Sequence, residues 1–212
     1  MEYTINIKGH LMDLSTPQVM GILNVTPDSF YSGSRKQTEM EIAQRANQII
    51  EEGGSIIDVG AFSTRPGADE VSEEEEGRRL KFALDIVRRE QPDAAVSVDT
   101  YRPTLARKCI EEWGADIIND VSEGGITGIV NVPLEQRQEE YPEMFRVVGE
   151  LKVPYILMSV QPTLETMMKG FAKEVQQLRD LGAKDIILDP GFCFGKNLIQ
   201  NYQIYNEMEK LN

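Results

Sequence analysis

Six times along this chain a short, mostly apolar run closes on a polar residue or a glycine: residues 19–23 on Asn24, 55–59 on Gly60, 94–98 on Asp99, 116–118 on Asn119, 154–158 on Ser159 and 185–188 on Asp189. Mostly apolar runs without strict alternation, separated by stretches of helical periodicity, describe strands buried on both faces, and so a parallel α/β sheet. The polar groups all fall at the same end of the runs. That placement is where (β/α)8 barrels carry their chemistry, whereas a doubly wound sheet more often shows a glycine-rich phosphate turn after its first strand, and neither GxGxxG nor a P-loop is present. The pattern gives about six βα units against the eight of a closed barrel, so the chain is read as one domain, 1–212, about two units short.

The intervening segments agree. Helices are predicted over 38–52, from Glu73 through Val87, over 105–113, 144–151, 163–181 and 202–211, from apolar residues at helical spacing such as Ile42, Ala46, Ile49 and Ile50. Tyr3, Ile5 and Ile7 alternate ahead of Gly9, so a small hairpin should cover the floor of the sheet. The acidic run 73–76 reads as a solvated first helical turn complementing the helix dipole, not as a metal site. Residues 122–140 read as an extended surface loop.

The formal charge is -13, from 22 Lys and Arg against 35 Asp and Glu, which argues against a nucleic-acid surface. Anions must be held by local groups. Two cysteines, Cys109 and Cys193, lack the spacing of a disulfide framework or zinc site, and fit a reducing cytoplasm. No apolar run approaches the roughly 20 residues a bilayer demands, so no membrane association is expected. His10, the only histidine, precedes the first core strand and reads as an edge or surface residue.

The most chemically loaded stretch is Gly21-Ile22-Leu23-Asn24-Val25-Thr26-Pro27-Asp28-Ser29-Phe30. Asn24 at a strand tip can turn its oxygen toward a cation or its amide toward an anion, and Asp28 and Ser29 add hard oxygen donors. Taken alone, an Asx-type turn capping a core strand is the commoner explanation. With Ser63-Thr64-Arg65-Pro66-Gly67, Ser97-Val98-Asp99-Thr100, Ile118-Asn119-Asp120 and Asp189-Pro190-Gly191-Phe192 beside it, the chain resembles the dihydropteroate synthases of bacterial folate synthesis.

The resemblance implies a TIM-type barrel of the pterin-binding kind. It also implies a transferase joining 6-hydroxymethyl-7,8-dihydropterin pyrophosphate to 4-aminobenzoate with release of pyrophosphate, using Mg2+, in the cytoplasm, with a homodimer as the expected assembly. By the same resemblance Asn24 would contact the metal or pyrophosphate, and Asp99 would stabilise the cation developing on the pterin. Asn119 and Asp189 would read the ring's edge, and Met158 and Phe194 would line it. Phe30, Thr64, Arg65 and Pro66 would form the aminobenzoate pocket in two loops, with Arg65 also guarding the site from water.

Two departures stand out. Family members usually carry His-Met-(Arg or Gln)-Gly after the fifth strand, where this chain has Met158-Ser159-Val160-Gln161-Pro162. The family's later Ser-Arg-Lys and Arg-x-His segments have no counterpart in the 212 residues, so on this reading the chain alone is expected to bind a pterin weakly and form no dihydropteroate. The alternatives are a catalytically inactive pterin-binding or regulatory relative and a pterin-binding methyltransferase domain.

Overall fold

The computed structural model describes residues 3–25, 35–62, 71–125 and 141–211. A hairpin, β1 (Thr4–Ile7) and β2 (His10–Asp13), pairs antiparallel and stands apart from a second sheet of six strands. These are β3 (Met20–Asn24), β4 (Ile56–Gly60), β5 (Ala95–Asp99), β6 (Ile117–Asp120), β7 (Tyr155–Met158) and β8 (Ile186–Asp189), in the order β3-β4-β5-β6-β7-β8. Strands laid down in chain order with a helix in each connection follow the strand order of a (β/α)8 barrel, and six units are present. By contacts the chain divides into two compact units, Met1–Ile118 and Asn119–Asn212.

In the first unit, β3, β4 and β5 pair parallel and in register. Leu23, Ile57, Val59, Val96 and Val98 point to the helix side and form one cluster with Ile42 and Ala46 of α1 (Arg35–Glu51) and Leu80, Leu84 and Val87 of α2 (Glu73–Glu90). Leu105 and Cys109 of α3 (Pro103–Glu111) complete it. α1 ends where Gly53 and Gly54 donate back to Ile50 O and Ile49 O, and Gly53 takes the positive φ that such a stop requires. The expectation that the first strand is buried on both faces is corrected: Val19 is 60% and Ile22 57% exposed. β3 closes the described sheet on one side, which leaves Ile22 exposed while Leu23 stays buried against the helices.

The acidic helix start needs a second correction. Ser72 caps α2 by accepting from Glu75 N. Glu76, however, is wholly buried, accepts from Thr100 Oγ1 at 2.7 Å and pairs with Arg102 at 3.1 Å. Burial raises its carboxyl's pKa above the ordinary glutamate value, against the pull of Thr100 and Arg102. At the opposite end of these strands, Asp116 accepts from Arg88 Nη2 at 2.5 Å and Val96 N at 2.8 Å, and Lys8 of the hairpin reaches it at 2.6 Å. The hairpin thus stands at the strands' N-terminal ends, as the floor expectation has it. A cavity of about 470 Å³ lies there, lined by Ile7, Leu11, Ser55 and Ala95 among others.

In the second unit, β7 and β8 pair parallel, and α4 (Glu143–Leu151) and α5 (Leu164–Asp180) pack together. Met144, Phe145 and Val148 from α4 and Met167, Phe171 and Leu178 from α5 are buried. Thr163 caps α5, and Asn197 and Gln200 form a reciprocal capping box on α6 (Leu198–Glu207), which runs into a short 3₁₀ turn, Met208–Leu211. His10 is exposed, as expected. Among the described residues no helix is long and apolar enough to cross a membrane.

Candidate active site

Register decides which sequence candidates meet in the first unit. Asn24 pairs with Gly60, and Gly60 with Asp99, so three neighbouring strand tips stand at one level with their side chains on one face. A β-carbon added to Gly60 would lie 2.8 Å from Asn24 Oδ1 and 3.3 Å from Asp99 Oδ2. The carboxamide and the carboxylate therefore both lean over the bare α-carbon between them. One layer lower on the same face, Asp58 pairs with Ser97, both buried, so polarity continues beneath the tips while the opposite face is hydrocarbon.

In the second unit Met158 and Asp189 are register partners, Met158 buried and Asp189 half-buried. Burial raises the Asp189 pKa, countered by a 2.8 Å bond from Gly191 N and by the nearby Lys196 ammonium. Asn119 is buried at the tip of β6. Phe194 is half-buried, its carbonyl accepting from Lys196 Nζ at 3.0 Å. Phe30, Thr64, Arg65 and Pro66 lie outside the described residues, as do Asp28 and Ser29.

The structure adds residues that sequence reasoning passed over. Asp120 is wholly buried and takes four bonds: Ser122 N at 2.8 Å, Ser122 Oγ at 2.5 Å, Gly124 N at 2.9 Å and Tyr155 OH at 2.7 Å. Its pKa is raised by burial, and these bonds oppose that rise. The tight turn they fix directs the chain away from the tip of β6. Asn119 and Asp120 are adjacent in a strand and must point to opposite faces, a period-of-two signal that could have separated a site residue from an anchor. Glu123, Ser159 and Lys196 form a further linked set beside Met158 and Asp189.

As to a metal, Asn24 offers an exposed carboxamide oxygen, the hard donor that magnesium accepts beside phosphate oxygens and water. Among the described residues no group of three histidine, cysteine or carboxylate side chains could hold an ion unaided. A single exposed carboxamide oxygen fits an ion that takes its remaining ligands from elsewhere.

Residues 20–212 match the family described as pterin binding enzyme. With polar strand tips on a parallel α/β sheet, that match defines the class: a pterin-binding enzyme. The chain is 36% identical to the dihydropteroate synthase of Escherichia coli (strain K12), over 93% of this chain and 69% of that protein. It is 37% identical to that of Clostridium beijerinckii, over 91% and 69%. Among solved structures, Xanthomonas albilineans dihydropteroate synthase with 4-aminobenzoic acid superposes with a TM-score of 0.82 at 30% identity, covering 100% of this chain and 74% of that one. The same enzyme in complex with 7,8-dihydropteroate gives 0.77 at 26%, covering 98% and 73%. The chain belongs to the dihydropteroate synthase family, transferases of folate biosynthesis.

Proposed function

We propose that this protein joins 6-hydroxymethyl-7,8-dihydropterin pyrophosphate to 4-aminobenzoate, releasing pyrophosphate and giving dihydropteroate. An aryl amine is a weak nucleophile, so the reaction needs help where the leaving group departs and where positive charge collects on the pterin methylene. Asp99 supplies a fixed carboxylate for that charge. Asn24 holds the pyrophosphate end, with magnesium, when bound, neutralising the departing phosphates. Asn119 and Asp189 accept from the amino-pyrimidine edge of the ring, and Met158 and Phe194 flank it. Phe30, Thr64, Arg65 and Pro66 form the aminobenzoate side. The reading takes residues 1–212 as one domain, acting in the cytoplasm as a homodimer.

The observation that supports this reading is that Asn24 Oδ1 and Asp99 Oδ2 stand together over Gly60, a carboxamide beside a carboxylate at neighbouring strand tips. The test is dihydropteroate formation with magnesium and both substrates, comparing the protein with Asp99→Asn; turnover by the unaltered 212 residues would also correct the expectation that they alone form no product. The variant should retain ring binding and lose about 10²–10³ in rate, the usual cost of removing one preorganised electrostatic group. Equal rates would overturn the role of Asp99. Tight pterin binding without turnover by the unaltered protein would favour the inactive pterin-binding relative.

A further inference from the structure

Ser159, just past β7, is held at every polar atom it has. Its N–H donates to Asp189 O at 2.9 Å, its Oγ donates to Glu123 Oε1 at 2.7 Å and accepts from Gln161 N at 3.2 Å, and its carbonyl accepts from Lys196 Nζ at 2.8 Å. The two side chains that reach it are buried: Glu123 is 1% and Lys196 9% exposed. Glu123 adopts φ 55°, a left-handed backbone that a residue with a β-carbon takes only when its surroundings impose it. What imposes it is the turn fixed by Asp120 on one side and the bond to Ser159 on the other.

Lys196 spends all three of its N–H donors on backbone carbonyls, those of Ser159, Gly191 and Phe194, at 2.8, 3.0 and 3.0 Å. An ammonium so occupied has nothing left for a ligand. Its effect is to draw the loop after β8 onto the tip of β7, so closely that a β-carbon on Gly191 would lie 2.3 Å from Ser159 O and 2.9 Å from Met158 Cγ. Gly191 N in turn holds Asp189 Oδ1. Lys196 is thus one residue removed from both the Asp189 carboxylate and the Met158 thioether.

We propose that Glu123, Ser159 and Lys196 are positioning residues for the pterin ring: acting through Ser159, they fix the tip of β7 against the loop after β8 and so set Asp189 and Met158 at the spacing that ring recognition demands. The inference rests on the pterin reading given above. A carboxylate that must meet two ring N–H groups while a neighbouring side chain lies along the ring tolerates displacements of only about 0.5 Å.

The test is binding of 6-hydroxymethylpterin, the ring without its diphosphate, by calorimetry, beside binding of magnesium pyrophosphate to the same protein. Ser159→Ala removes the Glu123 link together with the weaker bond from Gln161 N, spares the backbone bonds to Asp189 and Lys196, and should weaken ring binding by about tenfold, the usual worth of one charged hydrogen bond. Lys196→Met should weaken it further, and Lys196→Arg should recover part of the loss. Because Glu123 acts through Ser159, Glu123→Gln should add nothing in the Ser159→Ala background. Pyrophosphate affinity should stay unchanged throughout, whereas a general structural role would lower both affinities together. If Lys196→Met does not fold, the Ser159→Ala result decides. Ring affinity unaltered by Ser159→Ala while Asp189→Ala abolishes it would overturn this proposal and leave the pterin reading intact. Failure of the unaltered protein to bind the ring would overturn both.

Discussion

Gly60→Ala separates what the site needs from what the fold needs. Nothing in the backbone opposes the change, since Gly60 is not among the glycines with positive φ. The cost is steric: the new methyl would lie 2.8 Å from Asn24 Oδ1 and 3.3 Å from Asp99 Oδ2. Ordinary contact of a β-carbon begins near 3.4 Å, so Asn24 Oδ1 must retreat by about 0.6 Å and Asp99 Oδ2 by about 0.1 Å. Overpacking typically costs about 1–3 kcal/mol, but Asn24 is exposed and can swing away, so the lower end applies, a fall of about 2–4 °C in Tm for a protein of this size. Function should suffer more. Misplacing a reacting group by about 1 Å can cost 10²-fold in rate, and a shift of half that by Asn24, the proposed pyrophosphate contact, should cost about tenfold. The assays are thermal unfolding and magnesium-dependent dihydropteroate formation on the same preparation. Unchanged activity at unchanged stability would show that Asn24 does not act from its position over Gly60. A stability loss above about 3 kcal/mol would show that its side chain is not free to move.

Two further predictions concern the scaffold. Asp116→Ala takes the acceptor from Arg88 Nη2 and the Val96 amide and releases Lys8, while Arg88 keeps its bonds to Gly114 O and Ala94 O, and should cost about 3 kcal/mol in urea unfolding, with activity well below the transition unaltered; a loss under about 1 kcal/mol would refute the anchoring role. Burial, reinforced by the charge of Glu123, raises Glu174 from an ordinary 4.5 to about 8. The folded state therefore keeps a proton that the unfolded chain gives up above 4.5, and this contribution to stability declines as pH rises from about 4.5 to 8, then levels off. Glu174→Gln, measured by urea unfolding at pH 6 and 8.5, should flatten that decline; parallel curves would refute it.

How much of this was readable in the chain depends on range. The strand tips were, because burying a strand on both faces forces an apolar run, and the polar residue ending it marks where the sheet meets its ligand side. Asn24, Gly60 and Asp99 closed three such runs, and the register places them together. Ile22 looked as buried as Leu23, because periodicity cannot tell an edge strand from a central one. Glu76 was indistinguishable from Glu73, Glu74 and Glu75: what buries it is Thr100 and Arg102, some 25 residues on. Glu123 and Ser159 are 36 residues apart, and neither carries a local mark of the other. Long-range polar pairs are invisible to a reading built on neighbours.

The hairpin and the Asp116 anchor also bear on how such a protein can be altered. Lys8, Arg88 and Asp116 all lie at the N-terminal ends of the strands, the opposite end from Asn24, Gly60 and Asp99. Catalytic centres usually resist improvement because the groups that react are also the groups that strain the fold. Here an engineer has a region where the two demands do not compete. The roughly 470 Å³ hollow between the hairpin and the strand starts could take a larger apolar side chain at buried Ala95, raising thermal tolerance while the opposite strand ends keep their shape.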